Sequence, residues 1–166
     1  MKTTIIAFVI VLSLAFSLVG SKGWALNDQL SIDSLKGFSG VYILVENVPS
    51  EIVLDGLTAS KIHTIALKKL RVASIKVLTK HEALQELGTP YLYVNVNAMK
   101  IDSVYIYSIS LDFKQNALLE RSNLSTSAGT WSYYGLSIGP SIRSIRYDIE
   151  DIMDQFINAW LSVNPK

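Results

Sequence analysis

The chain has 166 residues, no cysteine, and a nearly balanced charge, with 15 Lys and Arg against 14 Asp and Glu. The lack of cysteine excludes disulfides, zinc-thiolate sites and thiol redox motifs. With a net charge of +1, the chain lacks the surplus of basic residues that nucleic-acid binding needs. A chain of this length suits one globular domain with a single core.

The first 25 residues are predicted to be a secretory signal peptide. Lys2 gives the positive charge of such a segment, and the apolar run from Ile5 to Val19 has the length of its hydrophobic centre. Removing residues 1–25 leaves a near-neutral domain without cysteine, although an oxidising compartment permits disulfides. Since small secreted domains of eukaryotes usually carry disulfides, we expect a bacterial protein that is periplasmic or secreted.

The cleavage site has two candidates. A Gly-Trp-Ala run that ends at Ala25 places small side chains where a signal peptidase recognises them, and a Val-Gly-Ser run that ends at Ser21 is the second candidate. The sequence favours the site after Ala25. The uncharged stretch 3–21 is also close to the roughly 18–20 residues that span a bilayer, so an uncleaved anchor is the alternative. After cleavage, no stable membrane span is expected.

Residues 26–37 are polar and mixed, which predicts a short tether before a folded domain at 38–166. Within that domain Val41, Ile43 and Val45 alternate with their neighbours, as is typical of a largely buried strand. The last predicted helix carries the longest apolar repeat, at spacings of three and four residues. The predicted elements are a strand near 41–45, a helix at 56–72 with Asp55 as its N-cap, an extra helical turn at 80–87, strands at 91–98 and 104–119, a loop at 122–129, a strand at 130–138 and a helix from 139 to 164.

The element order β-α-β-β-β-α predicts an α+β fold. We expect a two-layer sandwich, with two helices on one face of a mixed, mostly antiparallel sheet. The connection through the first helix is expected to be a right-handed crossover between parallel strands, and the later hairpins to be antiparallel. One face of the sheet is then left open.

Side chains suited to catalysis or metal binding are sparse. His63 falls in the apolar arc of the first long helix, where a structural role is expected, and no nucleophile lies near it in sequence. Asp151 and Asp154 lie one helical turn apart and could hold a cation, but a solvated helix face accounts for them as well. No Gly-rich phosphate loop is present. We therefore predict no catalytic, cofactor-binding or metal site and no cofactor.

Tyrosine and asparagine alternate with apolar residues along the predicted strand 91–98. If the apolar positions face the helices, the polar ones share the open side of the sheet. This predicted partner surface consists of Tyr91, Tyr93, Asn95 and Asn97. Tyr and Asn make an adaptable contact surface, although β-prone tyrosines also occur on strands without a binding role.

Two stretches carry a resemblance to known families. The segment 56–79, followed by Tyr-Leu-Tyr-Val-Asn-Val at 91–96, resembles the periplasmic α/β domains of bacterial envelope-assembly proteins, such as the TolB amino-terminal domain and the lipopolysaccharide-transport plug lipoprotein. The stretch from Thr130 to Lys166 resembles small exported bacterial proteins of uncharacterised function. The chain departs from the lipoproteins because it lacks a lipobox cysteine. The resemblance implies a partner-binding protein that is not an enzyme, and it transfers no functional residue.

The leading hypothesis is a non-catalytic periplasmic binding module or envelope-assembly accessory protein. Its partner is expected to be another envelope protein or a second copy of the chain, bound through the open sheet face or a strand edge. A small secreted hydrolase that uses His63 or Asp151 is one alternative. A carrier that holds a small apolar ligand between sheet and helices is another.

Overall fold

Five strands form one mixed sheet in the computed structural model, which describes residues 22–26 and 28–165. In chain order the strands are β1 (Lys22–Leu26), β2 (Tyr42–Val45), β3 (Tyr91–Ile101), β4 (Val104–Leu119) and β5 (Leu124–Gly139). Their spatial order is β1-β5-β4-β3-β2. β2 and β3 are parallel, and the other neighbouring strands are antiparallel.

Two long helices cover one face of this sheet. The helices of the described chain are α1 (Gln29–Asp33), α2 (Ser50–Leu54), α3 (Ala59–Val72), α4 (Lys80–Gln85) and α5 (Ile142–Val163). α3 packs on α5 and on β2, and α5 packs on β4 and β5. The predicted α+β sandwich with two helices on one sheet face is confirmed. None of the described helices has the length and apolar character that a membrane crossing requires.

Apolar side chains at alternate strand positions and along one side of the last helix point into one core. On β3, Leu92, Val94 and Val96 are buried, and the residues between them point to the opposite face. On α5, the buried side chains include Ile149 and Phe156, which belong to the repeat found in the sequence. The two periodicities therefore meet in the layer between sheet and helices.

Aromatic rings fill the middle of that layer. The Phe113 ring centroid lies 5.3 Å from that of Phe38, 6.1 Å from that of Phe156 and 6.0 Å from that of Trp160. Trp131 is fully buried, and its ring centroid lies 5.4 Å from that of Phe156. Edge-to-face and offset contacts at these distances add to the stabilisation that burial itself supplies. This part of the core is occupied by the protein's own side chains.

The predicted tether 26–37 is instead packed into the domain from residue 28 onwards. The Asp28 carboxylate caps α1 by accepting a hydrogen bond from the Ser31 backbone N–H at 2.8 Å, and Leu35 is fully buried in the core. The Gly37 backbone N–H donates to Asn164 Oδ1 at 2.8 Å, which joins this segment to the end of α5. Its polar composition concealed the apolar side chains that anchor it, Leu35 and the partly buried Ile32.

The N-cap prediction at Asp55 is wrong. Asp55 follows the short helix α2 as its C-cap, and Thr58 caps α3 by accepting a hydrogen bond from the Lys61 backbone N–H at 3.2 Å. The Asp55 carboxylate instead accepts hydrogen bonds from the Tyr105 hydroxyl at 2.6 Å and from Lys100 Nζ at 2.9 Å. Asp and Thr are both good N-cap residues. Because the Asp55 carboxylate is bonded to Tyr105 and Lys100, Thr58 serves as the N-cap of α3.

β4 and β5 form a hairpin that continues past the end of β3. β5 begins at Leu124, so the loop predicted at 122–129 is wrong from residue 124 onwards: Leu124 pairs with Leu119, and pairing continues to Gly139 with one irregularity beside Phe113. The partner of Tyr91, at the start of β3, is Lys114. Beyond Lys114 the hairpin is therefore a two-stranded ribbon.

β1 lies at the edge of the sheet beside β5. It pairs antiparallel from Lys22 opposite Leu136 to Leu26 opposite Ser132. The predicted signal peptide lies outside the described residues up to residue 21, whereas 22–25 belong to this strand. The boundary predicted after Ala25 therefore falls within an element of the sheet.

Candidate functional site

The sheet face opposite α3 and α5, here called the open face, carries the predicted partner surface. Tyr91, Tyr93 and Asn95 are half-buried there, and Asn97 is exposed. The register places further polar residues beside them, because Asn95 pairs with Ser110 and Asn97 with Ser108. The four residues chosen from the sequence thus lie together, but they form only part of the face.

A buried carboxylate organises the polar half of the open face. Asp112 is 8% exposed, and its Oδ1 accepts hydrogen bonds from the Ser132 hydroxyl at 2.6 Å and from the Tyr134 hydroxyl at 2.8 Å. Hydrogen bonds to a charged acceptor are stronger than neutral ones, so Asp112 ties β4 to β5 on this side. The sequence held one signal for it, since Asp is disfavoured within strands.

Tyr93 is held in place by charged neighbours. Its hydroxyl donates to Glu46 Oε2 at 2.7 Å, and Lys114 Nζ lies 4.4 Å from the ring centroid, within the range of a cation–π contact. The pKa of Glu46 is lowered, chiefly because Tyr93 donates this hydrogen bond to its carboxylate and further because the Asn47 backbone N–H does so. The polar half of the open face is therefore preorganised by contacts within the chain.

The other half of the open face is apolar and exposed. Leu136 is 63% exposed, Ile138 62% and Met99 51%. They are brought together by β4, since Ile106 pairs with both Met99 and Ile138. We call this region the apolar end and define it by Met99, Ile101, Val104, Leu136 and Ile138. Contiguous exposed apolar side chains of this kind mark contact surfaces.

The apolar end was not predicted from the sequence. Its members come from three strands, and only the register shows that they are neighbours. The available signal was the presence of Leu136 and Ile138 at alternate positions of β5, in phase with Tyr134 and not with the buried Trp131. Shallow depressions between Asn97, Ser108 and Leu136 connect this region with the polar half.

A separate groove of about 310 Å³ lies between α5 and the helix-covered side of β5. Its lining includes Tyr107, Asp148, Asp151 and Asp154. The Tyr107 hydroxyl donates to Asp148 Oδ2 at 2.7 Å, and Lys69 Nζ forms an ion pair with Asp154 Oδ2 at 2.6 Å. Two of the three carboxylates thus have partners within the chain. In the part of the chain that the structure describes, no three His, Cys, Asp or Glu side chains are grouped so as to hold a metal ion.

Tyr107 gives the groove a pH-dependent contact. Burial, with a further contribution from Asp148, raises the pKa of Tyr107 from 10.0 to about 12. The unfolded chain therefore loses the Tyr107 proton at a lower pH than the folded chain does. The contribution of this group to the free energy of unfolding is complete below pH 10 and is lost as the pH rises towards 12. We expect the free energy of unfolding in urea to fall over this range, and to fall less in Tyr107→Phe.

The matched control for this titration is Tyr147→Phe, which changes an exposed tyrosine of α5. It should retain the alkaline loss of the wild type. Phenolate absorbance gives an independent measurement, in which Tyr107→Phe should remove ionisation at the alkaline end of the curve. Equal urea profiles for wild type and Tyr107→Phe would show that Tyr107 is not the group responsible.

The two residues of the hydrolase hypothesis lie on different helices. His63 is half-buried on α3, and Asp151 is exposed on α5 beside the groove. Among the described residues no hydrogen bond joins these two side chains. The structure therefore places no acid–base pair at these positions.

Comparison with known proteins shows similarity at the level of fold. No family model matches the sequence, and no curated protein matches it. The PelC dodecamer from Paraburkholderia phytofirmans has 13% sequence identity and a TM-score of 0.51, and the match covers 85% of this chain and 97% of that one. A single-substitution variant of the same dodecamer gives 14% identity, a TM-score of 0.52, and coverage of 84% and 97%. At this identity the similarity shows a shared fold.

Proposed function

We propose that the chain is a non-catalytic, exported binding module of the bacterial envelope that assembles with copies of itself through the open face. The observation that carries this proposal is the apolar end, where Leu136 and Ile138 are each more than half exposed on the open face of β5. Outward positions of a solvated sheet face are ordinarily polar. Apolar side chains at these positions are best accounted for by a surface that becomes buried.

The two halves of the open face suit the two parts of an interface. A stable interface buries about 800 Å² on each partner, with an apolar centre and a polar rim. The apolar end supplies the centre, and the polar half around Asp112 and Tyr93 supplies a rim whose geometry is already set by internal hydrogen bonds. A preorganised surface loses less conformational entropy on binding.

Charge and fold similarity favour a second copy as the partner. The whole chain carries a net charge of +1, so copies approach one another without strong mutual repulsion. PelC, with the similar fold, is a dodecamer. These observations support self-association over binding to a strongly charged partner.

The decisive experiment measures the mass of the exported protein in solution. We expect light scattering during size-exclusion chromatography to give an oligomer for the wild type, and a shift towards the monomer for Leu136→Glu, because a carboxylate cannot be buried without a partner. Leu84→Glu is the matched control, since Leu84 is 57% exposed on α4 and should leave the oligomer intact.

Two results would count against self-association. One is a wild type that stays monomeric at every concentration tested; the other is an equal effect of the two Glu variants. In the first case, recovery of partners from envelope extract with the wild type and with Tyr91→Ala combined with Tyr93→Ala tests whether another envelope protein uses the same face.

A further inference from the structure

We infer that the export signal is cleaved after Ser21, so that Lys22 becomes the first residue of the mature protein and β1 is retained. The inference rests on the export assumed in the proposed function, and it reverses the preference for Ala25 that the sequence alone suggests. It assigns a processing site from the position of an edge strand. The pairing of β1, the position of β5 in the sheet and the sequence of the leader all support this site.

The pairing of β1 is continuous and in register. Five consecutive residues of β1 lie opposite five of β5, from Lys22 with Leu136 to Leu26 with Ser132. Cleavage after Ala25 would remove four of these five residues, because β1 comprises Lys22–Leu26. Cleavage after Ser21 keeps all five. The second candidate site therefore coincides with the boundary of the strand.

Loss of β1 would change the position of β5 in the sheet. β5 lies between β1 and β4, and without β1 it would be the edge strand along residues 132–136. Such an edge presents unpaired backbone N–H and C=O groups that recruit other chains. Here it would stand beside the exposed side chains of Tyr134 and Leu136. Retention of β1 protects the edge next to the most apolar part of the open face.

The leader remains a normal signal peptide when it ends at Ser21. Its length of 21 residues lies within the roughly 15–30 residues of such segments, and Ser21 supplies the small side chain required at the cleavage position. The positive charge of Lys22 then falls on the mature domain. Sequence rules thus permit either site, and the sheet distinguishes between them.

The test is to express the full chain in an exporting bacterium and to determine the amino terminus and intact mass of the exported protein. We expect a terminus at Lys22. We also expect Ser21→Phe, which places a bulky side chain at the cleavage position, to abolish this product, whereas Ala25→Phe leaves the cleavage site unchanged. Processing is read from the mass, so a folding defect in the second variant does not obscure the result.

A terminus at Leu26, or a product that Ala25→Phe abolishes and Ser21→Phe does not, would overturn the inference. So would an exported protein that keeps its leader. These outcomes are independent of the proposed assembly, because a protein that begins at Leu26 can still form oligomers and one that begins at Lys22 can still be a monomer. A full-length product retained in the cytoplasm would refute both the processing site and the exported function.

Discussion

Replacement of Phe113 by alanine is expected to lower the free energy of unfolding by about 3–5 kcal/mol. Phe113 is fully buried and its ring contacts three other aromatic rings, those of Phe38, Phe156 and Trp160. Its removal therefore takes away both buried apolar area and ring contacts from the centre of the core. Since small domains have a total stability of about 5–15 kcal/mol, this is the largest effect that we expect from a single substitution. Urea denaturation followed by tryptophan fluorescence measures it.

Two further variants keep this prediction testable if Phe113→Ala does not fold. Phe113→Leu retains most of the volume and should cost less, about 1.5 kcal/mol. Tyr147→Ala removes an exposed aromatic side chain from α5 and should change stability by less than about 0.5 kcal/mol. If Phe113→Leu and Tyr147→Ala were equally stable, the aromatic cluster would not be the centre of the core.

Gly40→Ala is expected to destabilise the domain by about 1–3 kcal/mol. A Cβ atom at Gly40 would lie 2.4 Å from the Lys76 carbonyl oxygen and 3.0 Å from the Lys76 Cβ. That carbonyl accepts a hydrogen bond from the Val41 backbone N–H at 3.0 Å. The Val41 carbonyl in turn accepts one from the Leu78 backbone N–H, also at 3.0 Å. Backbone on one side or the other must move, and the parallel bridge between Val41 and Val77 moves with it.

Gly129→Ala is the matched control for Gly40→Ala. At Gly129 the nearest atom to an added Cβ is Ser132 Oγ at 3.8 Å, an ordinary van der Waals distance. We therefore expect a change of less than about 0.5 kcal/mol. Urea denaturation of both variants makes the comparison, and a loss of stability at Gly129 equal to that at Gly40 would contradict the proposed role of the close contact.

The architecture could be predicted from the sequence because its periodicities are strong. Leu92, Val94 and Val96 alternate with polar residues, and the apolar repeat of α5 runs at helical spacing, so each pattern has one structural interpretation. The face of β3 that carries Tyr93 and Asn95 followed directly from this alternation. Elements with such local signals do not depend on knowledge of their neighbours.

Elements that depend on distant partners could not be predicted in the same way. The Ser, Thr and Gly residues at 124–129 are typical of a loop, and they are extended because β4 pairs with them. β1 has a sequence that fits the end of a leader as well as it fits a strand, and its extended conformation depends on its pairing with β5. The apolar end is a product of register across three strands. In each case the deciding contact joins residues that are remote in sequence.

The ribbon formed by β4 and β5 beyond Lys114 has a consequence for how the molecule opens. Its backbone is secured near the base, where the Asn116 N–H donates to the Gly88 carbonyl at 2.7 Å, but residues 118–127 are exposed throughout. Amide protons at the tip should therefore exchange with solvent through local fraying, while those of β3 exchange only when the whole domain unfolds. The backbone is therefore less stably held towards the tip of the hairpin. Its turn is the position where an inserted label or peptide would disturb the core least.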